Sequence, residues 1–190
     1  MNSAEPNSLQ IHLVLCFCHL LRRMEEIMDV IKFAINMELE GQRFYLEQAE
    51  INKDNELQRV FQLLADSEKE HAEILEKKQN REDYELSDSG DTVLPLFRNV
   101  FVGMKDFTKK HVVFLSQLEA YRLARSQEEK SIKLYQKMDS ETNDLKDKEL
   151  FEFLIKQEQE HLILFDQLVT MVTRPEEWVE SAEFGLREEY

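Results

Sequence analysis

The chain is poor in the residues that interrupt helices and staple small folds. Four glycines and three prolines are spread over 190 residues. That is too few for an architecture of tight turns, so long helices with few breaks are expected and the fold class reads as all-α. The two cysteines, Cys16 and Cys18, cannot build a disulfide framework. No paired Cys-x-x-Cys set is present to hold zinc or a single iron, and a reducing, cytoplasmic setting is the expectation. Basic charge is also scarce. The 24 Lys and Arg face 39 Asp and Glu, a net charge of −15, which argues against nucleic acid or an anionic membrane as partner. The apolar run "IHLVLCFCHLL" at 11–21 is too short to span a bilayer. With Glu5 before it and Arg22 and Arg23 after it, the charge order is wrong for a secretory signal. Within that run Cys16 and Cys18, with His12 and His19 nearby, offer soft-metal ligands, but an apolar flap is the simpler reading.

What the chain does have is a repeat. Laid against itself without a gap, it aligns Glu38 with Glu128, Tyr45 with Tyr135, Asp54 with Asp144, Phe61 with Phe151 and Leu64 with Leu154. The same offset places Glu68 on Glu158 and His71 on His161. Two helical hairpins are therefore expected, at roughly 26–80 and 116–172, joined by a long crossover. This predicts a four-helix bundle made of two duplicated hairpins. A short C-terminal helix is expected to start at Pro175, with Trp178 docked on the bundle. Residues 1–23 have no counterpart in the second half, so they read as an N-terminal extension and 24–190 as the functional domain.

The core-facing stripe of each helix follows from the alternating three-four spacing. The four stripes are Ile27, Ile31, Ala34, Glu38, Gly41, Tyr45; Leu57, Phe61, Leu64, Glu68, His71, Leu75; Tyr121, Ala124, Glu128, Ser131, Tyr135, Met138; and Phe151, Leu154, Glu158, His161, Phe165, Leu168. Each carries an ionisable group in its middle, flanked by apolar residues. An unpaired buried carboxylate costs several kcal/mol even after relaxation, and no lysine or arginine falls on these stripes. Two divalent cations would neutralise four carboxylates and two neutral imidazoles. A Glu from each of two helices, with Glu-x-x-His from the other two, is the ligand inventory of di-iron and di-manganese carboxylate bundles. Oxygen and imidazole donors without thiolate suit iron or manganese over copper(I), with zinc still open.

Tyr45 and Tyr135, two turns beyond their glutamates, serve either core packing or a hydrogen bond that orients a carboxylate, and the two roles are compatible. Gly41 and Ser131 either leave room for an oxygen ligand or allow close helix approach. Glu129 competes with Glu128 as a ligand, with the stripe and the repeat favouring Glu128. Glu70 and Glu160 point off the stripe, and His111 in the crossover has no partner spacing.

The segments "ELEGQRFY", "EKEH", "EEKSIKLY" and "EQEH" resemble the ferritin-like domain of the rubrerythrin family over about residues 26–182. The resemblance implies a non-haem di-iron centre in which Glu68 and Glu158 bridge the irons. Glu38 and Glu128 would be terminal ligands, and His71 and His161 would each bind one iron. It further implies peroxide reduction in the cytoplasm, by a homodimer. The family's usual rubredoxin segment, a Cys₄ iron site, is missing, so an external electron donor such as a rubredoxin-like protein must replace it. Many peroxidase members also carry a glutamate where this chain has Ser131. The competing expectations are ferritin-like iron sequestration, with dioxygen as oxidant, and a metal-stapled bundle without turnover.

Overall fold

Helix α1 (Ser8–Ile51) is a single rod of 44 residues. The computed structural model describes residues 8–86, 93–101 and 117–173, and the rest of the chain forms four further helices within those bounds. These are α2 (Leu57–Asn80), α3 (Val93–Phe101), α4 (Leu118–Glu141) and α5 (Leu145–Thr173). All secondary structure among the described residues is helical. The backbone of 8–23 prolongs α1 without a break at Met24. The side chains of His12, Cys16, Cys18, His19 and Ile27 lie outside the described ones, as do His111, Pro175 and Trp178.

Local chemistry makes the turns. Asn55 accepts a hydrogen bond from the Leu57 amide at 2.9 Å, which satisfies a donor that the first turn of α2 would leave free. Asp144 does the same for α5, accepting from the Lys146 and Asp147 amides at 2.8 and 3.2 Å. Helix α2 stops at Arg81, the one non-glycine residue with positive φ (58°) among the described residues. Its amide and that of Glu82 bond back to the last carbonyls of the helix.

α1 packs along α2, and α4 along α5, so the two expected hairpins are present. The crossover contains a helix that the spacing did not predict: α3 sets Val93 and Phe97 against α2 and α5. Pro95 falls in its first turn, where a missing amide hydrogen does no harm.

Every described stripe residue is buried except Gly41, which is partly buried. The apolar ones form two separate clusters. One gathers Tyr45, Leu57, Phe61, Phe97, Tyr121 and Phe165 among others, and the second gathers Ile31, Leu75, Tyr135, Met138, Phe151 and Leu154. Burying each large side chain stabilises the fold by about 1.5–3 kcal/mol. In all four bundle helices the glutamates and histidines fall in sequence between the residues of the two clusters. The polar layer is therefore sealed by hydrocarbon above and below.

Candidate metal centre

Six ionisable side chains meet in that layer. Glu38, Glu68, His71, Glu128, Glu158 and His161 are all at most 3% exposed, well below what such residues tolerate without partners. They fall into two overlapping groups. Glu38, Glu68, His71 and Glu158 offer donor atoms within 4.8 Å of one another, and so do Glu68, Glu128, Glu158 and His161. Glu68 and Glu158 belong to both groups. That sharing sets the two donor groups side by side, with one carboxylate from α2 and one from α5 common to both. The repeat makes the arrangement two-fold: each hairpin supplies one lone Glu and one Glu-x-x-His.

The distances show what the donors are aimed at. His71 Nδ1 lies 2.9 Å from Glu158 Oε1, 3.6 Å from Glu38 Oε2 and 3.9 Å from Glu68 Oε2. His161 Nδ1 lies 3.1 Å from Glu68 Oε1, 3.6 Å from Glu158 Oε2 and 3.8 Å from Glu128 Oε2. Despite this proximity, Glu68 Oε1, both Glu158 oxygens and both Nδ1 atoms have no hydrogen-bond partner. Buried polar atoms in native folds are almost always satisfied. Five orphans converging on one small volume fit a pair of divalent cations, which would satisfy all of them at once. The two imidazole rings stack at 5.9 Å, and Ser67 Oγ lies 3.4 Å from His71 Nε2, which holds the ring with Nδ1 facing inward.

The electrostatics agree with the geometry. Burial, then repulsion from Glu158 and Glu38, pushes Glu68 well above the usual carboxylate range. Burial and Glu158 push Glu128 up to about 8. Burial alone would raise Glu158, but His161 and His71 on either side outweigh it and hold it well below the usual range. Burial pulls the histidines down, yet the surrounding carboxylates win: His71 rises to about 9 beside Glu158 and Glu38, and His161 rises well above normal beside Glu128, Glu158 and Glu68. Without a cation, protons neutralise the cluster. Divalent metals would take the place of those protons.

The tyrosines carry the least expected detail. Tyr45 donates its hydroxyl hydrogen to Glu128 Oε1, and Tyr135 donates to Glu38 Oε1. Each phenol therefore serves the glutamate of the other hairpin, not the one two turns before it on its own helix. Both are held protonated, their hydroxyls raised well above 10 by burial and by Glu128 and Glu38 respectively. Core packing and orientation coexist here. Tyr45 stacks on Phe165 at 5.7 Å and on Phe61 at 6.3 Å.

Of the neighbouring candidates, Gly41 leaves room: a Cβ there would sit 3.4 Å from the Glu68 carboxylate. Ser131 is buried and donates toward Gln127 O at 3.2 Å and toward the Met37 sulfur at 3.5 Å. Glu129 pairs with Arg125 at 3.4 Å on the outside of α4, away from the two clusters. Glu70 is exposed and Glu160 partly buried, and neither joins the two groups. Sequence spacing gave no sign of the Met37–Ser131 contact, because Met37 lies beside the α1 stripe, not on it. Nor did it reveal the part-buried amide network in which Asn52 and Gln117 bond each other at 2.8 and 3.1 Å and Tyr121 donates to Gln117.

No helix among the described residues is long and apolar enough to cross a membrane. No curated protein and no solved structure matches the chain significantly. A family model does match, over residues 29–169, well over half of the chain, and its description is rubrerythrin.

Proposed function

The chain belongs to the rubrerythrin family and is a ferritin-like di-iron protein, and from that premise we propose that it reduces hydrogen peroxide to water. In this reading Glu38 and His71 would hold one iron, Glu128 and His161 would hold the other, and Glu68 and Glu158 would serve both. The observation that carries it is the convergence of five buried, unpartnered donor atoms on two overlapping positions. When bound, two ferrous ions supply the two electrons that break the O–O bond of peroxide.

The chain's own residues do the rest. The two apolar clusters keep bulk water from the polar layer, which strengthens every charge interaction inside it. Tyr45 and Tyr135 fix Glu128 and Glu38 in orientation and keep their phenolic protons, so each terminal carboxylate presents its second oxygen inward. Gly41 gives the Glu68 carboxylate space to shift as charge at the centre changes. Electrons come from an external donor of the rubredoxin-like kind, and the working unit is a homodimer in the cytoplasm.

The test is a direct competition. Anaerobically iron-loaded, reduced protein should be oxidised by hydrogen peroxide far faster than by air, and an added reductant should restore it for further rounds. Faster oxidation by dioxygen, ending in a growing ferric mineral, would replace this reading with iron sequestration. Loading that raises stability but consumes neither oxidant would leave a metal staple.

A further inference from the structure

Among the described residues, three side-chain hydrogen bonds join α1 to α4. Two are the tyrosine–glutamate hydrogen bonds, and the third joins the Ser131 hydroxyl to the Met37 thioether at 3.5 Å. Met37 immediately precedes Glu38 and is only half-buried, whereas Met138 and Met171 are sealed in the core. Ser131 lies one turn beyond Glu128 and is 6% exposed. Met37 packs against the aliphatic cluster around Tyr135 and remains partly open to solvent, with its sulfur beside the Ser131 hydroxyl.

We propose that Met37 is a peroxide-oxidisable residue at the α1–α4 junction, and that Ser131 both assists its oxidation and holds the sulfoxide. The inference borrows only its oxidant from the reading above. The reaction is a two-electron oxygen transfer that needs no metal: the thioether and H₂O₂ give the sulfoxide and H₂O. A sulfur lone pair attacks the nearer peroxide oxygen, an S–O bond forms and the O–O bond breaks. The proton on the transferred oxygen moves to the departing oxygen, which leaves as water. For an exposed methionine, solvent must be recruited to move that proton. Here the Ser131 hydroxyl, bonded to Gln127 O at 3.2 Å, already stands 3.5 Å from the sulfur, where it can accept the proton from one oxygen and return its own to the other. In the product the hydroxyl faces a sulfoxide oxygen, a much better acceptor than a thioether. With sulfur and hydroxyl 3.5 Å apart, a bent S–O···H–O geometry closes without moving either helix. Oxidation therefore fastens α1 to α4 beside Glu38 and Glu128, and reduction of the sulfoxide releases it.

The experiment treats iron-loaded and metal-free full-length protein with limiting hydrogen peroxide and maps methionine sulfoxide by peptide mass spectrometry. Met28, 43% exposed, reports the unassisted rate, and the buried Met138 and Met171 report background. Met37 should oxidise several-fold faster than Met28 in both preparations. Ser131→Ala should bring it down to the Met28 rate or below, and Ser131→Thr, which restores a hydroxyl, should recover the preference. Oxidation of Met37 no faster than Met28, or a preference untouched by Ser131→Ala, would overturn the proposal. Following peroxide consumption in the same samples separates the two readings. A preferred Met37 without catalytic consumption refutes the peroxidase and keeps this inference. Consumption without the preference does the reverse.

Discussion

Removing the metal and raising the pH should weaken this protein, and the structure says by how much. In the metal-free state the cluster is stable only while it holds protons. Glu128 moves from an ordinary 4.5 to about 8 on folding, and His71 from 6.5 to about 9. Both folded values are raised. The stability that accompanies protonation is thus complete below the unfolded values and is lost as the pH climbs through the folded ones. Glu68 acts in the same direction. Glu158 is held low by the histidines and is ionised throughout this window, so its loss appears only in acid. Taking Glu128 alone, the shift amounts to about 5 kcal/mol between the two ends of its range. For a chain of this size about 5 kcal/mol corresponds to a fall of roughly 10–20 °C in melting temperature. Chelator-treated protein followed by circular dichroism should therefore melt progressively earlier from about pH 4.5 to about pH 9, with roughly half of the Glu128 contribution lost above about pH 6. The iron-loaded protein should hold its melting temperature over the same interval, because the cations replace the protons, and binding itself should release protons to the medium. A metal-free melting temperature that is flat or rising over this interval would mean that the six side chains do not share one dry volume.

The remaining predictions are simpler. Glu68→Ala and Glu158→Ala each remove a carboxylate common to both donor groups, so elemental analysis after reconstitution should show fewer than two irons per chain. Loss in either variant of no more than trace metal would count against a bridging role. Tyr45→Phe and Tyr135→Phe leave a buried glutamate oxygen without its donor and should each weaken metal affinity or turnover by about 10–100-fold, read by competition with a chelator. Because the donation is crossed, Tyr45→Phe should perturb the position near His161, and Tyr135→Phe the one near His71. A chain beginning at Met24 should keep its metal content and melting temperature, since the repeat needs nothing before it. A large loss of either would make residues 1–23 part of the working fold.

The helix faces and six candidate ligands were legible because duplication doubled every signal. A lone Glu-x-x-His is common in so acidic a chain. The same pair twice in register, each with a companion Glu and Tyr on the preceding helix, is not. Burial then followed from spacing, since a stripe of period 3.6 leaves no choice about which side of a helix faces inward. The pairing across hairpins stayed hidden. Periodicity places Tyr45 on the core side of α1, but which glutamate it reaches depends on how two separate hairpins dock, and no local pattern encodes that. Helix α3 was hidden for a different reason: nine residues carrying a proline are too short for periodicity to separate helix from loop.

The crossed phenols have a consequence for how the chain is built. Neither hairpin is self-sufficient, since one half carries the glutamate and its mate carries the hydrogen that steadies it. A solitary half would bury an unsatisfied acid and a phenol with nothing to bind. Two identical halves facing each other would satisfy both, because the exchange is reciprocal. The chain is in this sense a tethered pair, and the crossover bearing α3 is the leash that keeps the mates at high effective concentration. One end of the bundle is a stack of aromatic rings around Tyr45, while the other, around Tyr135, is mostly aliphatic.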